Sequence, residues 1–261
     1  MKTNEQLLRD FIKANKERKA SIVAKAGFDT PEQYKEYLVT LINGAITPSG
    51  GGTISSVKPT IHLVDLLDSS ASMGGGKYEN ATRGVREGLK EFRNETEVNY
   101  TYSLVEFVEY RNIIEHQYIG SLNLNPSFYG AHGGDTPLYR TIYNTLTKVK
   151  NLVAPTDKVL VKIYTDGLNN TAYSHAPLAR KLIAELSDTF TVTLVGPERE
   201  LKQAVTDLGL DDSNTLAVEN NARGFQMAFT ESIGATRSYA KKVSLKQDVK
   251  TEFYSKKVGK L

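Results

Sequence analysis

The chain has 261 residues, 39% hydrophobic and 24% charged, with a net charge of +3 and no cysteine. That length accommodates a domain of about 200 residues plus an appendage. The small charge does not argue for nucleic acid, and disulfides, thiolate metal sites and cysteine nucleophiles are excluded. The first residues, Met1 to Arg18, are polar and charged, and no run of about 18 apolar residues occurs, so the expectation is a cytoplasmic protein with no membrane span.

Thr3 to Ala26 reads as a helix whose apolar residues fall roughly on one side, stopped by Gly27. Thr30-Pro31-Glu32-Gln33 is a helix start with a cap, a first-turn proline and a glutamine at the capping-box position. Tyr34, Tyr37, Leu38, Leu41 and Ile42 then recur at helical spacing up to Gly44. Residues 1–46 are therefore expected to form a helical hairpin, which docks on the main domain or serves as an assembly arm. Residues 47–58, rich in Gly, Ser and Pro, read as a linker or loop.

The main domain is expected over 59–240. Ile61 to Leu67 is a near-continuous apolar run, the pattern of a strand buried on both faces. Tyr78 to Phe92 reads as a helix, Val98 to Val108 as a strand, and Ile113 to Ile119 as a short edge strand. Asn123 to Asp135 reads as a loop. A helix from Thr136-Pro137 to Val149 follows, then a buried strand from Lys158 to Tyr164 and a helix from Ala176 to Leu186. The last elements are a strand from Phe190 to Val195 stopped by Gly196-Pro197, a helix from Glu198 to Leu208, a weak strand from Asn214 to Val218, and a helix from Ala222 to Ala240. Residues 241–261 form a basic tail with seven lysines. Strands alternating with helices predict an α/β fold, a Rossmann-like doubly wound, mainly parallel sheet flanked by helices.

In such sheets ligands bind outside the carboxyl ends of the strands. Three oxygen-rich loops meet that condition: Asp68-Ser69-Ser70-Ala71-Ser72 after the first strand, Gly133-Gly134-Asp135-Thr136 before a helix, and Thr165-Asp166-Gly167 after a central strand. Together Asp68, Ser70, Ser72, Thr136 and Asp166 offer two carboxylates and three hydroxyls. Hard oxygens suit Mg²⁺, with Mn²⁺ or Ca²⁺ as alternatives, rather than zinc or copper. Neutral hydroxyls leave such an ion electron-poor and ready to take an anionic oxygen from another molecule. Gly74-Gly75-Gly76 lets the backbone turn sharply after the first loop.

These loops resemble the metal-ion-dependent adhesion site of von Willebrand factor A domains. Asp68 to Ser72 matches the family's D-x-S-x-S, Thr136 stands in its G-G-x-T-P-L context, Asp166 in its T-D-G, and Asn170 fits a T-D-G-x-x-N variant. The resemblance implies that Ser70, Ser72 and Thr136 coordinate Mg²⁺, with Asp68 and Asp166 helping directly or through water. It also implies a binding module that captures an exposed Asp or Glu of a protein partner, in a multiprotein complex. The cytoplasmic look and compact single-domain build lead to the expectation of a microbial or viral origin. Gly74, Tyr129, His132, Asp135, Asn170 and Tyr173 are expected at the partner-binding rim. The other readings are a metal-dependent hydrolase or phosphotransferase using the same ion, and a scaffold assembling through the N-terminal helices.

Gly74-Gly75-Gly76-Lys77 lacks the phosphate-loop frame, since Tyr78 follows the lysine. No G-x-S-x-G elbow occurs. The four histidines have no metal-ligand spacing. No nucleic-acid or membrane partner is expected.

Overall fold

Thr60–Leu67, mostly apolar but carrying His62 and Asp65, forms β1, and the sheet grows outward from it in both directions. The computed structural model describes residues 58–254 apart from 109, 168, 172 and 251. Of these, residues 59–119 and 123–254 belong to one compact unit. The expected helical hairpin, most of the linker and the end of the basic tail lie outside the described residues.

The other strands are β2 (Asn99–Glu106), β3 (Arg111–Tyr118), β4 (Lys158–Tyr164), β5 (Phe190–Pro197) and β6 (Thr215–Val218). They make a six-stranded sheet of order β3-β2-β1-β4-β5-β6. All neighbours are parallel except β2 and β3. The helices are α1 (Lys77–Arg93), α2 (Leu138–Lys150), α3 (Ala176–Leu186), α4 (Glu198–Leu208) and α5 (Ala222–Ser244). The chain moves from β1 to β2 on one side and later returns to β4 on the other. The carboxyl ends of β1 and β4 therefore flank the point where strand order reverses, the usual ligand crevice of such sheets.

Alternation along the strands divides the core. Val64, Leu66, Val161 and Ile163 pack with Leu138, Ile142, Leu146, Ala179, Leu186 and Leu208 of α2, α3 and α4. Each such fully buried aliphatic side chain stabilises the fold by roughly 1.5–3 kcal/mol. Asp65, Tyr102, Lys162 and Tyr164 instead border a water-sized cavity with Val85, Leu89 and Phe92 of α1 and Phe229 and Ile233 of α5. There Asp65 and Lys162, register partners on adjacent strands, form a buried ion pair of 3.0 Å, each side chain 4% exposed. Tyr102 donates its hydroxyl to the second oxygen of Asp65 at 2.8 Å. Phe229 stacks on Tyr164 with 4.1 Å between ring centroids.

Two expected element ends move outward, and part of the tail packs onto the domain. β5 does not stop before Gly196-Pro197 but includes them, paired with Ala217 and Val218. A Cβ at residue 196 would stand 2.6 Å from the Thr165 carbonyl oxygen, so the glycine admits the neighbouring backbone rather than breaking the strand. Pro197 is the last residue of the strand and the position from which α4 starts. α5 runs to Ser244, four residues beyond the expected end, because Val243 continues its buried side. After it the chain doubles back. Val249, Phe253 and Tyr254 are buried, Thr191 donates to the Val249 carbonyl at 3.0 Å, and the Tyr254 amide donates to the Ser213 carbonyl at 3.0 Å. This part of the basic tail is a packed strap.

A polar knot lies where β3 joins the sheet. His62 is fully buried between Thr101 Oγ1 (2.7 Å) and Ser103 Oγ (3.0 Å). Its ring stands 4.7 Å from that of His116, which has a φ of 47° in the irregular stretch of β3. Burial, and then the proximity of His116, push the His62 pKa well down. Burial also lowers that of His116, against Glu115 beside it. Both rings are thus favoured neutral in the fold, whereas the unfolded chain takes up protons near pH 6.5. Stability should be full above that pH and fall as pH drops below it. Thermal melts from pH 7.5 to 5.5 should show that fall, with a shallower slope in His62→Gln; parallel slopes would refute the assignment.

Candidate metal centre

β1 delivers Asp68 at its carboxyl end, where the Asp68 amide still donates to the Tyr164 carbonyl of β4 at 2.9 Å. The chain then folds into a single 3-10 turn, Ala71–Met73. Gly75 and Gly76, with φ of 69° and 88°, swing it into α1. Left-handed backbone there is the physical use of the glycine run. Asp68 is completely buried, Ser70 2% exposed, and Ser72 lies at the open side.

The hydroxyls of Ser70 and Ser72 and the Asp166 carboxylate form a chain between the first and third loops, and hydrogen bonds from the Ser70 amide and the Thr165 hydroxyl hold Asp68 beside it. The Ser70 amide donates to Asp68 Oδ1 at 2.8 Å. Ser70 Oγ and Ser72 Oγ are 2.9 Å apart, and Ser72 Oγ donates to Asp166 Oδ1 at 2.7 Å. Thr165 Oγ1 donates to Asp68 Oδ2 at 2.6 Å. The second loop supplies Thr136, 4% exposed. Asn170 pins it from both sides, its Oδ1 accepting from the Thr136 amide and its own amide donating to the Thr136 carbonyl. Residue 167 also faces it: a Cβ on Gly167 would stand 3.9 Å from Thr136 Oγ1.

All five expected ligands therefore lie on loops at one end of the sheet. Their chemistry fits a hard divalent ion. Octahedral Mg²⁺ binds oxygen at about 2.0–2.1 Å, which puts adjacent ligand oxygens about 2.9 Å apart. The Ser70–Ser72 and Ser72–Asp166 spacings, 2.9 and 2.7 Å, are ordinary hydrogen-bond lengths and are close enough to that edge for one ion to take all three oxygens. No group of three or more His, Cys, Asp or Glu suited to a metal occurs among the described residues. Here two carboxylates suffice because hydroxyls provide the other oxygens.

The Asp68 carboxyl titrates above its ordinary range. Burial is the main cause, the Thr165 hydroxyl and the Ser70 amide pull against it, and the negative charge of Asp166 adds to the rise. A buried carboxylate with a second one nearby is a site that gains from a cation.

The rim residues divide. The His132 amide donates to the Ser69 carbonyl at 2.9 Å, and its Nδ1 lies 2.8 Å from the Gly130 carbonyl, so it braces the first loop. Asn170 acts as the brace of Thr136. Asp135 is exposed, and Gly74 lies just after the 3-10 turn. Tyr129, 64% exposed, carries the Arg111 guanidinium over its ring at 4.3 Å. The Tyr173 side chain lies outside the description.

Other residues take part that the sequence did not assign to the metal site. Thr165 ties the third loop to Asp68 through its hydroxyl. Lys77, the first residue of α1, pairs with Asp166 Oδ2 and donates to Asn220 Oδ1 at 2.9 Å. Tyr78 donates to Glu106 and accepts from the Gly130 amide, holding the loop that carries His132. Only Thr165 had a local signal, as part of T-D-G. The others meet their partners through the fold.

No family model matches the sequence, and no curated protein matches it. Solved structures do match the fold. Proximal thread matrix protein 1 from the mussel byssus aligns with a TM-score of 0.52 at 16% identity, over 68% of this chain and 48% of that one. A second structure of that protein, described as having a zinc occupied MIDAS motif, aligns at 0.50 and 14% identity, over 69% and 46%. The PilB minor pilin from Streptococcus sanguinis aligns at 0.51 and 12%, over 76% and 64%. The chain thus spans about half the length of the mussel protein. Strand order, flanking helices and these likenesses define a von Willebrand factor A-like fold.

Proposed function

We propose that this chain is a metal-dependent protein-binding module. Asp68, Ser70, Ser72, Thr136 and Asp166 would hold Mg²⁺, or Mn²⁺ or Ca²⁺ in its place, and the bound ion would supply positive charge to an exposed Asp or Glu of a partner protein. The carrying observation is the run of oxygens from Ser70 through Ser72 to Asp166, with the Asp68 carboxylate tied beside it by the Ser70 amide. Burial of Asp68 and Asp166 beneath an exposed Ser72 supports the reading, because it leaves one side open to an incoming ligand. The mussel protein's structure with a zinc occupied MIDAS motif supports a divalent ion at this kind of site.

In this reading the residues of the chain do three things. Thr165 and the Ser70 amide orient Asp68, Asn170 orients Thr136, and His132 holds the first loop closed.

The test is capture on the immobilised full chain in Mg²⁺ and in EDTA, with Thr136→Ala alongside. A partner retained in Mg²⁺ should be lost in EDTA and lost by Thr136→Ala, while the variant keeps the wild-type circular dichroism spectrum. Retention unchanged by both treatments would sink the reading.

A further inference from the structure

The carboxylate of Asp166 already has a cation. Its Oδ1 accepts from Ser72, and its Oδ2 takes the ammonium of Lys77. The same ammonium donates to Asn220 Oδ1 at 2.9 Å. The Lys77 side chain is 12% exposed and that of Asp166 1%, so this pair is far less screened than a surface salt bridge.

The position of Lys77 is unusual for a lysine. It is the first residue of α1, following Gly76 with no side-chain cap. A helix N-terminus carries partial positive charge and disfavours a cation. Helix stability therefore does not account for lysine at this place, whereas neutralising Asp166 does.

Asn220 lies on the short connection between β6 and α5. The next residue, Asn221, caps α5 by accepting from the Gly224 amide at 2.8 Å. Asn80 of α1 donates to the Ala222 carbonyl at 2.6 Å. Lys77 thus spans from the third metal-site loop to the start of the last helix.

We propose that Lys77 is the resident cation of this site, holding Asp166 when no divalent ion is bound and releasing it when one binds. The inference rests on the metal-site reading above. A divalent ion and an ammonium compete for the same carboxylate, so the lysine sets the affinity of the site for metal. Asn220 helps to position the Lys77 ammonium, so loss of that contact should weaken its hold on Asp166.

The test is calorimetric titration of the metal-free full chain with Mg²⁺. Lys77→Met should bind about tenfold tighter or more, within the usual span of such couplings. Lys77→Arg keeps the charge and should stay near the wild type. Lys90→Met, which removes an exposed lysine from the far end of the same helix, should also leave affinity unchanged and so controls for net charge. Asn220→Ala releases one end of the bridge without touching a carboxylate. It should tighten binding by a smaller factor, and it gives the answer if Lys77→Met does not fold. In EDTA, Lys77→Met should melt below the wild type, and saturating Mg²⁺ should close the gap. Equal or weaker Mg²⁺ binding by Lys77→Met and Asn220→Ala overturns the role of Lys77 alone. Absence of Mg²⁺ binding in the wild type and all variants overturns the metal-site reading, and this inference with it.

Discussion

Lys162→Met should destabilise the chain by about 3–5 kcal/mol, the cost of leaving a buried charge without its partner. Asp65 and Lys162 face each other across β1 and β4 with almost no solvent contact. Removing the lysine strands a carboxylate in the middle of the sheet, where only the Tyr102 hydroxyl remains to satisfy it. For a domain of this size the loss lowers the melting temperature by roughly 10 °C. Adding Asp65→Asn should recover most of it, since asparagine still accepts from Tyr102 and carries no charge. Chemical denaturation of the wild type, the single variant and the double variant measures both steps. A single variant as stable as the wild type would show that the pair contributes nothing.

The second large effect separates binding from stability. Asp68→Asn should abolish the Mg²⁺-induced rise in melting temperature, a rise worth about 2.7 kcal/mol at a hundredfold excess over the dissociation constant. In EDTA at pH 7 the same variant should be at least as stable as the wild type. The sign follows from the raised Asp68 pKa, whose main cause is burial. A carboxyl that titrates higher in the folded chain favours folding most when protonated. It loses that advantage as pH rises through its unfolded and then its folded value, so at neutral pH the ionised group is a net cost. Asparagine removes the charge and keeps the Ser70 contact. Its amide can donate to Thr165 Oγ1 while the Thr165 hydroxyl turns to the Gly167 carbonyl, which it already approaches at 3.1 Å. Differential scanning fluorimetry with and without Mg²⁺ decides. A variant unstable in EDTA would make Asp68 a structural pin instead.

Much of the fold was legible because its signals are local. β4, α3 and α4 fall on the residues that periodicity marks, since each is bounded by turns or by a proline in the first helical turn. The ends of β5 and α5 were not, for different reasons. Gly196 looks like a breaker until the Thr165 carbonyl is seen against it. The lysines at 241 and 242 hide the continuation of α5 through Val243, because helix periodicity there rests on one apolar residue. Asp68, Ser70, Ser72, Thr136 and Asp166 could be nominated from the sequence because each sits in a short patterned loop. Lys77 and Asn220 are 143 positions apart, and a lysine at a helix start looks like any other surface charge. Asp65 and Lys162 were hidden likewise, since only strand register makes them a pair.

The two outer strands give the molecule a character of its own in a crowded solution. β3 is irregular, with His116 at a left-handed φ and shifts in its pairing to β2. β6 is only four residues long. A strand from another chain finds a distorted template on one side and a short one on the other. Accidental strand-to-strand polymerisation is thereby discouraged at both margins of the sheet.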